Sequence, residues 1–322
     1  MARNAFTRRL VLLYAALLLG NAAAWACAFA LFGGNAALMG TALLAYALGL
    51  RHAVDADHIA AIDNTTRKLV QEGQRPLGVG LFFSLGHSTV VVLASGAIAL
   101  ASLRLGRLEW LHDIGSNIGT AVSSGFLFII AAANIVTLLG ILRAMRGGNG
   151  LPALPGGLLG RLLRPVMRLI AKSWHLYPLG FLFGLGFDTA SEVGLLGISA
   201  TQASHAVPFW SIMVFPALFT AGMSLIDTTD GVLMTGAYGW ALVQPARKLV
   251  YNLTVTLFSI LVALVIGALE AANLLAGRLA LDGPAWRFIA GLNSHFGTLG
   301  VATILGLTGC WAISMLMARR VA

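Results

Sequence analysis

Apolar residues run through this chain in long blocks, and the charged residues collect in the short stretches between them. About 20 consecutive apolar residues make a helix that crosses a bilayer. The pattern predicts eight such spans, at 10–33, 37–64, 78–102, 114–142, 176–201, 209–241, 250–276 and 288–317. The expected fold class is an all-α polytopic membrane protein, a single transmembrane domain over 1–322.

Composition agrees. Only 10% of residues are charged, 58% are hydrophobic and the mean hydropathy is +0.85, whereas a soluble domain carries roughly 25% charged residues. The net charge of +9 would suit a nucleic-acid binder, but the basic residues sit in short loops, where they act as topology signals. With both termini cytoplasmic, sixteen of the 21 Lys and Arg fall inside; only Arg104, Arg107, Arg278 and Arg287 fall outside, and Arg51 lies within a span. Cys27 and Cys310 both lie in apolar runs, which suggests neither a disulfide framework nor a thiolate metal site. Arg3, Arg8 and Arg9 precede an apolar run from Leu10 to Phe32. That run is longer than the ~7–15 residues of a secretory signal and reads as an uncleaved first span.

The longest connection, 143–175, is placed in the cytoplasm. It opens with a glycine- and proline-rich linker, 147–157, and continues with Arg161, Arg164, Arg168 and Lys172 at helical spacing. Two readings stand: a basic helix lying on anionic lipid, which Pro165 weakens, or a loop that only fixes topology. Each half of the chain has four spans with an acidic second span, without a residue-level match between the halves.

One polar string interrupts the apolar pattern most sharply. Arg51-His52-Ala53-Val54-Asp55-Ala56-Asp57-His58 follows directly on the apolar run from Leu38 to Leu50, and Asp63 follows it. A charge at bilayer depth costs ~3 kcal/mol or more, so such residues normally line an ion or substrate path. On one continuous helix Asp55 falls roughly 60° from His52 and His58 roughly 120°, while Asp57 points to nearly the opposite side. His52 and Asp55 then approach one ion together; a helix broken here removes that projection.

Three further stretches carry polar groups inside apolar surroundings. His87 lies between Gly86 and Ser88 in the third span, as a structural hydrogen-bonding group or a ligand. Asp188 and Glu192 stand one turn apart in the fifth span; Thr189 with Glu192 also has the spacing of a capping box at a helix restart. Asp227 and Asp230 share a face in the sixth span, and their apolar flanks favour an in-membrane site over a polar loop. Asp55, Asp57, Asp63, Asp188, Glu192, Asp227 and Asp230 make seven acids in or at the ends of spans, against Arg51 as the one obligate intramembrane cation. Such an excess favours a bound cation. Imidazole with carboxylate suits first-row divalent metals, whereas Mg²⁺ and Ca²⁺ prefer oxygen cages. Nickel, cobalt, zinc, iron and manganese stay open on this ground.

At these residues the chain resembles the nickel–cobalt transporter family of bacterial and fungal permeases, whose second-span signature is His, four residues, then Asp-His. Here it reads His52 to His58, with Ala60-Ala61-Ile62-Asp63-Asn64 continuing the pattern. Phe82 to Val91, Leu185 to Glu192 and Gly222 to Gly231 resemble the family's other signatures in order; Ser191 stands where Thr is expected. The resemblance implies high-affinity uptake of Ni²⁺ or Co²⁺ across the bacterial cytoplasmic membrane without ATP hydrolysis, and the expected mechanism is alternating access. It implies no enzymatic reaction, no resident cofactor and no ATPase subunit, and that His52, Asp55, Asp57 and His58 are needed. The metal-site candidates are thus His52, Asp55, Asp57, His58, His87, Asp188, Glu192, Asp227 and Asp230. The connection 143–175 holds a single histidine, His175, which favours uptake over an efflux permease. A metalloenzyme lacks its His-Glu-x-x-His box here, and a purely structural polar network is a poor return for seven buried acids.

Overall fold

The computed structural model of the chain describes residues 2–101, 108–145, 170–186, 189–205, 207–241 and 245–321. Among these residues the regular structure is helical throughout. The helices are α1 (Ala2–Phe32), α2 (Ala36–His52), α3 (Ala56–Gln71), α4 (Val79–Ala101), α5 (Leu108–Met145) and α6 (Leu176–Gly184). They continue with α7 (Ala190–Ser204), α8 (Phe209–Ile212), α9 (Val214–Ala241), α10 (Pro245–Arg278), α11 (Pro284–Asn293) and α12 (Phe296–Val321). Among the described residues, five stretches are long and apolar enough to cross a membrane by themselves, and two bent helix pairs raise the number to seven. The chain is a multi-pass all-α membrane protein. The basic stretch from Arg161 to Lys172, read either as a lipid-surface helix or as a loop that fixes topology, lies mostly outside the described residues.

Besides the one-residue interruption at Met213 between α8 and α9, three of the expected spans are divided between two helices. The second run divides into α2 and α3 at Ala53-Val54-Asp55. Charge order explains the break: Arg51 and His52 occupy the last turn of α2, Asp55 is the N-cap of α3 and Asp57 lies in its first turn. Cations stabilise a helix C-terminus and acids an N-terminus, so the string favours an end followed by a start. The one-helix projection of His52 with Asp55 therefore does not hold. The fifth run divides into α6 and α7, which restarts behind Thr189. The eighth divides into α11 and α12, with a turn of 66° between them. There Ser294 Oγ donates to the Gly291 carbonyl at 2.7 Å, a side-chain bond that competes with the helix ladder. The sixth run is helical through Asp227 and Asp230, so these acids lie within a span rather than in a loop.

Two compact units are distinguished. The first comprises Met1–Val54, Leu77–Val122 and Leu176–Gly231. Its apolar core gathers Phe32, Leu195, Ile212, Phe215, Leu218 and Phe219, with Phe32 stacked on Phe215 at 5.2 Å between ring centroids. Lipid tails are as apolar as leucine, so helices in a bilayer associate through close packing and hydrogen bonds. α4 and α6 do this backbone to backbone. A Cβ on Gly86 would strike the Tyr177 carbonyl, and one on Gly180 the Phe83 carbonyl.

The second unit comprises Asp55–Pro76, Ser123–His175 and Val232–Ala322. α3 is its unusual element: thirteen of its sixteen residues are buried, among them Asp63, Asn64, Thr65, Thr66 and Arg67. A polar helix that is buried on nearly all sides belongs in a protein interior, not against lipid. Its apolar positions pack in two clusters, one with Leu127, Ala131 and Ile266, the other with Tyr238, Val255 and Leu307. Arg67, assigned above to the cytoplasmic loop charges, lies inside α3 and is only 3% exposed, whereas Arg51, expected as the interior cation, is exposed.

Candidate metal site

The first unit brings three of the candidate residues together from three helices. His52 closes α2, His87 sits midway along α4, and Glu192 lies in the first turn of α7. All three are buried. The close approach of α4 to α6 sets His87 in place, since Gly184 at the end of α6 packs against its backbone. α7 then restarts so that Glu192 faces the two imidazoles.

The donor atoms form a compact triangle. His52 Nε2 is 2.8 Å from His87 Nε2, and His87 Nε2 is 2.9 Å from Glu192 Oε1. The third side, His52 Nε2 to Glu192 Oε1, is 4.0 Å. Sides of these lengths make a right angle at His87 Nε2. The midpoint of the long side then lies about 2.0 Å from all three atoms, the length of a first-row metal bond to imidazole nitrogen or carboxylate oxygen. His52 and Glu192 face each other across that point and His87 lies at a right angle to both, three corners of a square.

A polar surround fixes this triangle. Thr189 Oγ1 caps α7 by accepting from the Glu192 N–H at 3.4 Å, and donates to Glu192 Oε2 at 3.0 Å. The capping box read from sequence is thus present in altered form, with the glutamate side chain held by the Thr189 hydroxyl. His52 Nδ1 lies 3.3 Å from the same hydroxyl. One residue back on each helix, the Arg51 guanidinium donates to Ser191 Oγ at 2.8 Å, so α2 and α7 are joined twice in succession. Phe219 and Phe83 wall the imidazoles, with centroids 5.6 Å from His52 and 6.4 Å from His87.

The other candidates are distributed as follows. Asp227 and Asp230 are buried in α9 within the first unit. Asp55, Asp57 and His58 open α3 in the second unit, where Asp55 and His58 are buried and Asp57 is half-buried. Asp188 lies outside the described residues.

The second unit holds a different acid site that sequence reading located only through Asp63. Its carboxylate accepts from the Tyr238 hydroxyl through Oδ1, and from Ser259 Oγ at 3.2 Å through Oδ2. Arg67, one turn along, donates to Thr256 Oγ1 at 2.8 Å and to Asn64 Oδ1 at 3.2 Å. Asn134 donates to that same Asn64 oxygen at 2.6 Å. Tyr238, Ser259 and Thr256 lie about 175 to 196 residues from their partners, and nothing in their local sequence marks them.

Comparison with known proteins identifies the lineage. The family model described as a high-affinity nickel-transport protein matches residues 38–317. The chain is 54% identical to a high-affinity nickel transport protein of Cupriavidus necator, over 97% of this chain and 92% of that one. It is 46% identical to the nickel transporter NicT of Mycobacterium tuberculosis, over 88% and 80% respectively. A cobalt transport protein of Rhodococcus rhodochrous, NhlF, is 39% identical over 88% and 85%. No solved structure matches. With its signature residues in order and a family match across most of its length, the chain belongs to the high-affinity nickel-transport protein family.

Proposed function

We propose that this protein takes up Ni²⁺, and Co²⁺ as a second substrate, across the bacterial cytoplasmic membrane, and that His52, His87 and Glu192 hold the ion in transit. The observation that carries this reading is the right-angled triangle of two imidazole nitrogens and one carboxylate oxygen. A tetragonal N,O donor set suits Ni²⁺ or Cu²⁺ among first-row dications, and the nickel-transport relatives favour nickel. The cobalt transport relative supports the second substrate. Asp55, Asp57 and His58 follow His52 within six residues, and with Asp188, Asp227 and Asp230 they are proposed to complete the ion path.

The mechanism proposed is alternating access. The ion sheds water, binds in the triangle, and leaves inward as the site reopens. An inside-negative potential contributes ~2.3 kcal/mol per charge per 100 mV, and about twice that for a dication. Both termini are placed in the cytoplasm on the distribution of Lys and Arg. Direct uptake tests the reading: proteoliposomes accumulate radiolabelled nickel, cobalt competes, and His52→Ala or His87→Ala abolishes accumulation. Wild-type uptake by both variants removes the triangle from the path.

A further inference from the structure

The Thr189 hydroxyl touches three groups at once, and its chemistry allows only one arrangement with an ionised Glu192. A threonine hydroxyl has one proton and two acceptor lone pairs. A carboxylate accepts only, so the proton goes to Glu192 Oε2, 3.0 Å away. The Glu192 backbone N–H is a donor and uses one lone pair, at 3.4 Å. The group left is His52 Nδ1 at 3.3 Å, facing the remaining lone pair. An atom facing a lone pair has to bring the hydrogen itself. Nδ1 of His52 therefore carries the proton, and in the neutral ring Nε2 is the bare nitrogen. Nε2 is the atom at the corner of the donor triangle, 2.8 Å from His87 Nε2.

We infer that Thr189 is the positioning residue that sets the tautomer of His52, keeping its Nε2 unprotonated and aimed at the incoming divalent metal ion. The inference rests on the proposed metal site and adds a residue that touches no ion itself. A metal-ligating histidine commonly donates its other ring N–H to an oxygen that fixes its orientation, and losing that partner costs about 10–100-fold in metal affinity. Here the oxygen also caps α7 and holds the second oxygen of Glu192. One hydroxyl thus orients two of the three corners, and a shift of α7 relative to α2 changes both together.

The position explains why a hydroxyl is needed rather than a carboxylate. An aspartate at 189 would accept from His52 Nδ1–H but place a second negative charge beside Glu192 Oε2. A valine keeps the branched shape but neither donates nor accepts. Serine preserves the hydroxyl and loses a methyl group.

The test measures the tautomer and the affinity separately, on full-length protein in nanodiscs with Ni²⁺ as the probe. Histidine labelled with ¹⁵N reports protonation of each ring nitrogen in the metal-free protein, and His52→Ala assigns the His52 signals. Wild type and Thr189→Ser should show protonated Nδ1 and bare Nε2 at His52. Thr189→Val should lose that pattern and bind Ni²⁺ about 10–100-fold more weakly, while Thr189→Ser binds as wild type. A wild-type His52 with its proton on Nε2 overturns the inference without any variant, so a Thr189→Val protein that fails to fold does not shelter it. Unchanged affinity in a folded Thr189→Val overturns it as well. Failure of the metal site looks different: His52→Ala then transports nickel normally, whatever the tautomer.

Discussion

Glu192 in the first unit and Asp63 in the second are both almost wholly buried, at 1% and 2% exposure, yet they are stabilised by different kinds of group. Asp63 has both oxygens engaged by hydroxyls, from Tyr238 and Ser259, and Arg67 acts on it from one turn away. A guanidinium has no lone pair to offer a metal, and its positive charge repels one. Glu192 instead faces two imidazoles, groups that donate to a carboxylate when protonated and ligate a metal when not. The comparison separates two of the buried acids. Asp63, with both oxygens taken by hydroxyls and an arginine one turn away, is suited to fasten its helix; Glu192, beside two imidazoles, is the one proposed to hold an ion.

The largest effect separating the two sites is on nickel itself. His87→Ala removes the corner at which the right angle stands, and should abolish uptake and lower Ni²⁺ affinity by ~100-fold or more, beyond the 10–100-fold seen for supporting residues. Asp63→Asn should leave affinity near wild type. Calorimetric titration of both variants in detergent checks this. Equal loss in the two proteins would mean that the sites are one.

Next in size is the stability of the second unit. Asp63→Asn removes the carboxylate that acts on the buried Arg67 from one turn away; breaking a direct buried ion pair costs about 3–5 kcal/mol, an upper bound here because the two side chains make no direct contact. Adding Arg67→Met should recover much of the loss, because the uncompensated charge is then gone. Unfolding by a graded denaturant measures both. A double variant no more stable than the single one would show that Asp63 does not act through Arg67.

Nickel protection joins the two measurements. An ion that binds only folded protein stabilises it by about 2.7 kcal/mol at a concentration of 100 Kd. Wild type and Asp63→Asn should both gain on addition of Ni²⁺, from different starting points, and His87→Ala should gain about 0.4 kcal/mol or less. Thermal unfolding with and without metal reads the difference. Protection retained in His87→Ala would place the bound ion elsewhere.

The sequence carried more of this division than its hydropathy alone suggests. The long spans were legible because apolar run length is a direct consequence of bilayer thickness, as at Val79–Leu100 and Leu253–Arg278. The capping spacing of Thr189 and Glu192 announced the restart of α7. The break between α2 and α3 was written in the order of Arg51 and His52 before Asp55 and Asp57, a dipole signal that run length masks. Arg67 was read as a loop charge, whereas it is buried within α3, because the positive-inside rule counts charges near span ends without asking whether a partner buries them. Tyr238, Ser259 and Asn134 were not legible at all. Their role depends on which faces of α5, α9 and α10 meet α3, and periodicity marks an apolar face without naming its partner.

The smallest effect bears on how Asp63 is held. Tyr238→Phe removes one hydroxyl from its Oδ1 and leaves the aromatic ring in the cluster with Ile59, Val255 and Leu307. Interhelical polar bonds in membrane proteins average ~0.6 kcal/mol, with a maximum of about 1.7. A loss in that range is expected, well below that of Asp63→Asn, because the Ser259 hydroxyl and Arg67 still attend the carboxylate. Ser259→Ala should cost a similar amount, and the pair together more than the sum, since the second removal strips the last hydroxyl from a buried charge. A double-mutant cycle on unfolding free energy measures that excess. Strict additivity would show that the two hydroxyls serve their own helices and not Asp63, and the second unit's acid would then depend on arginine alone.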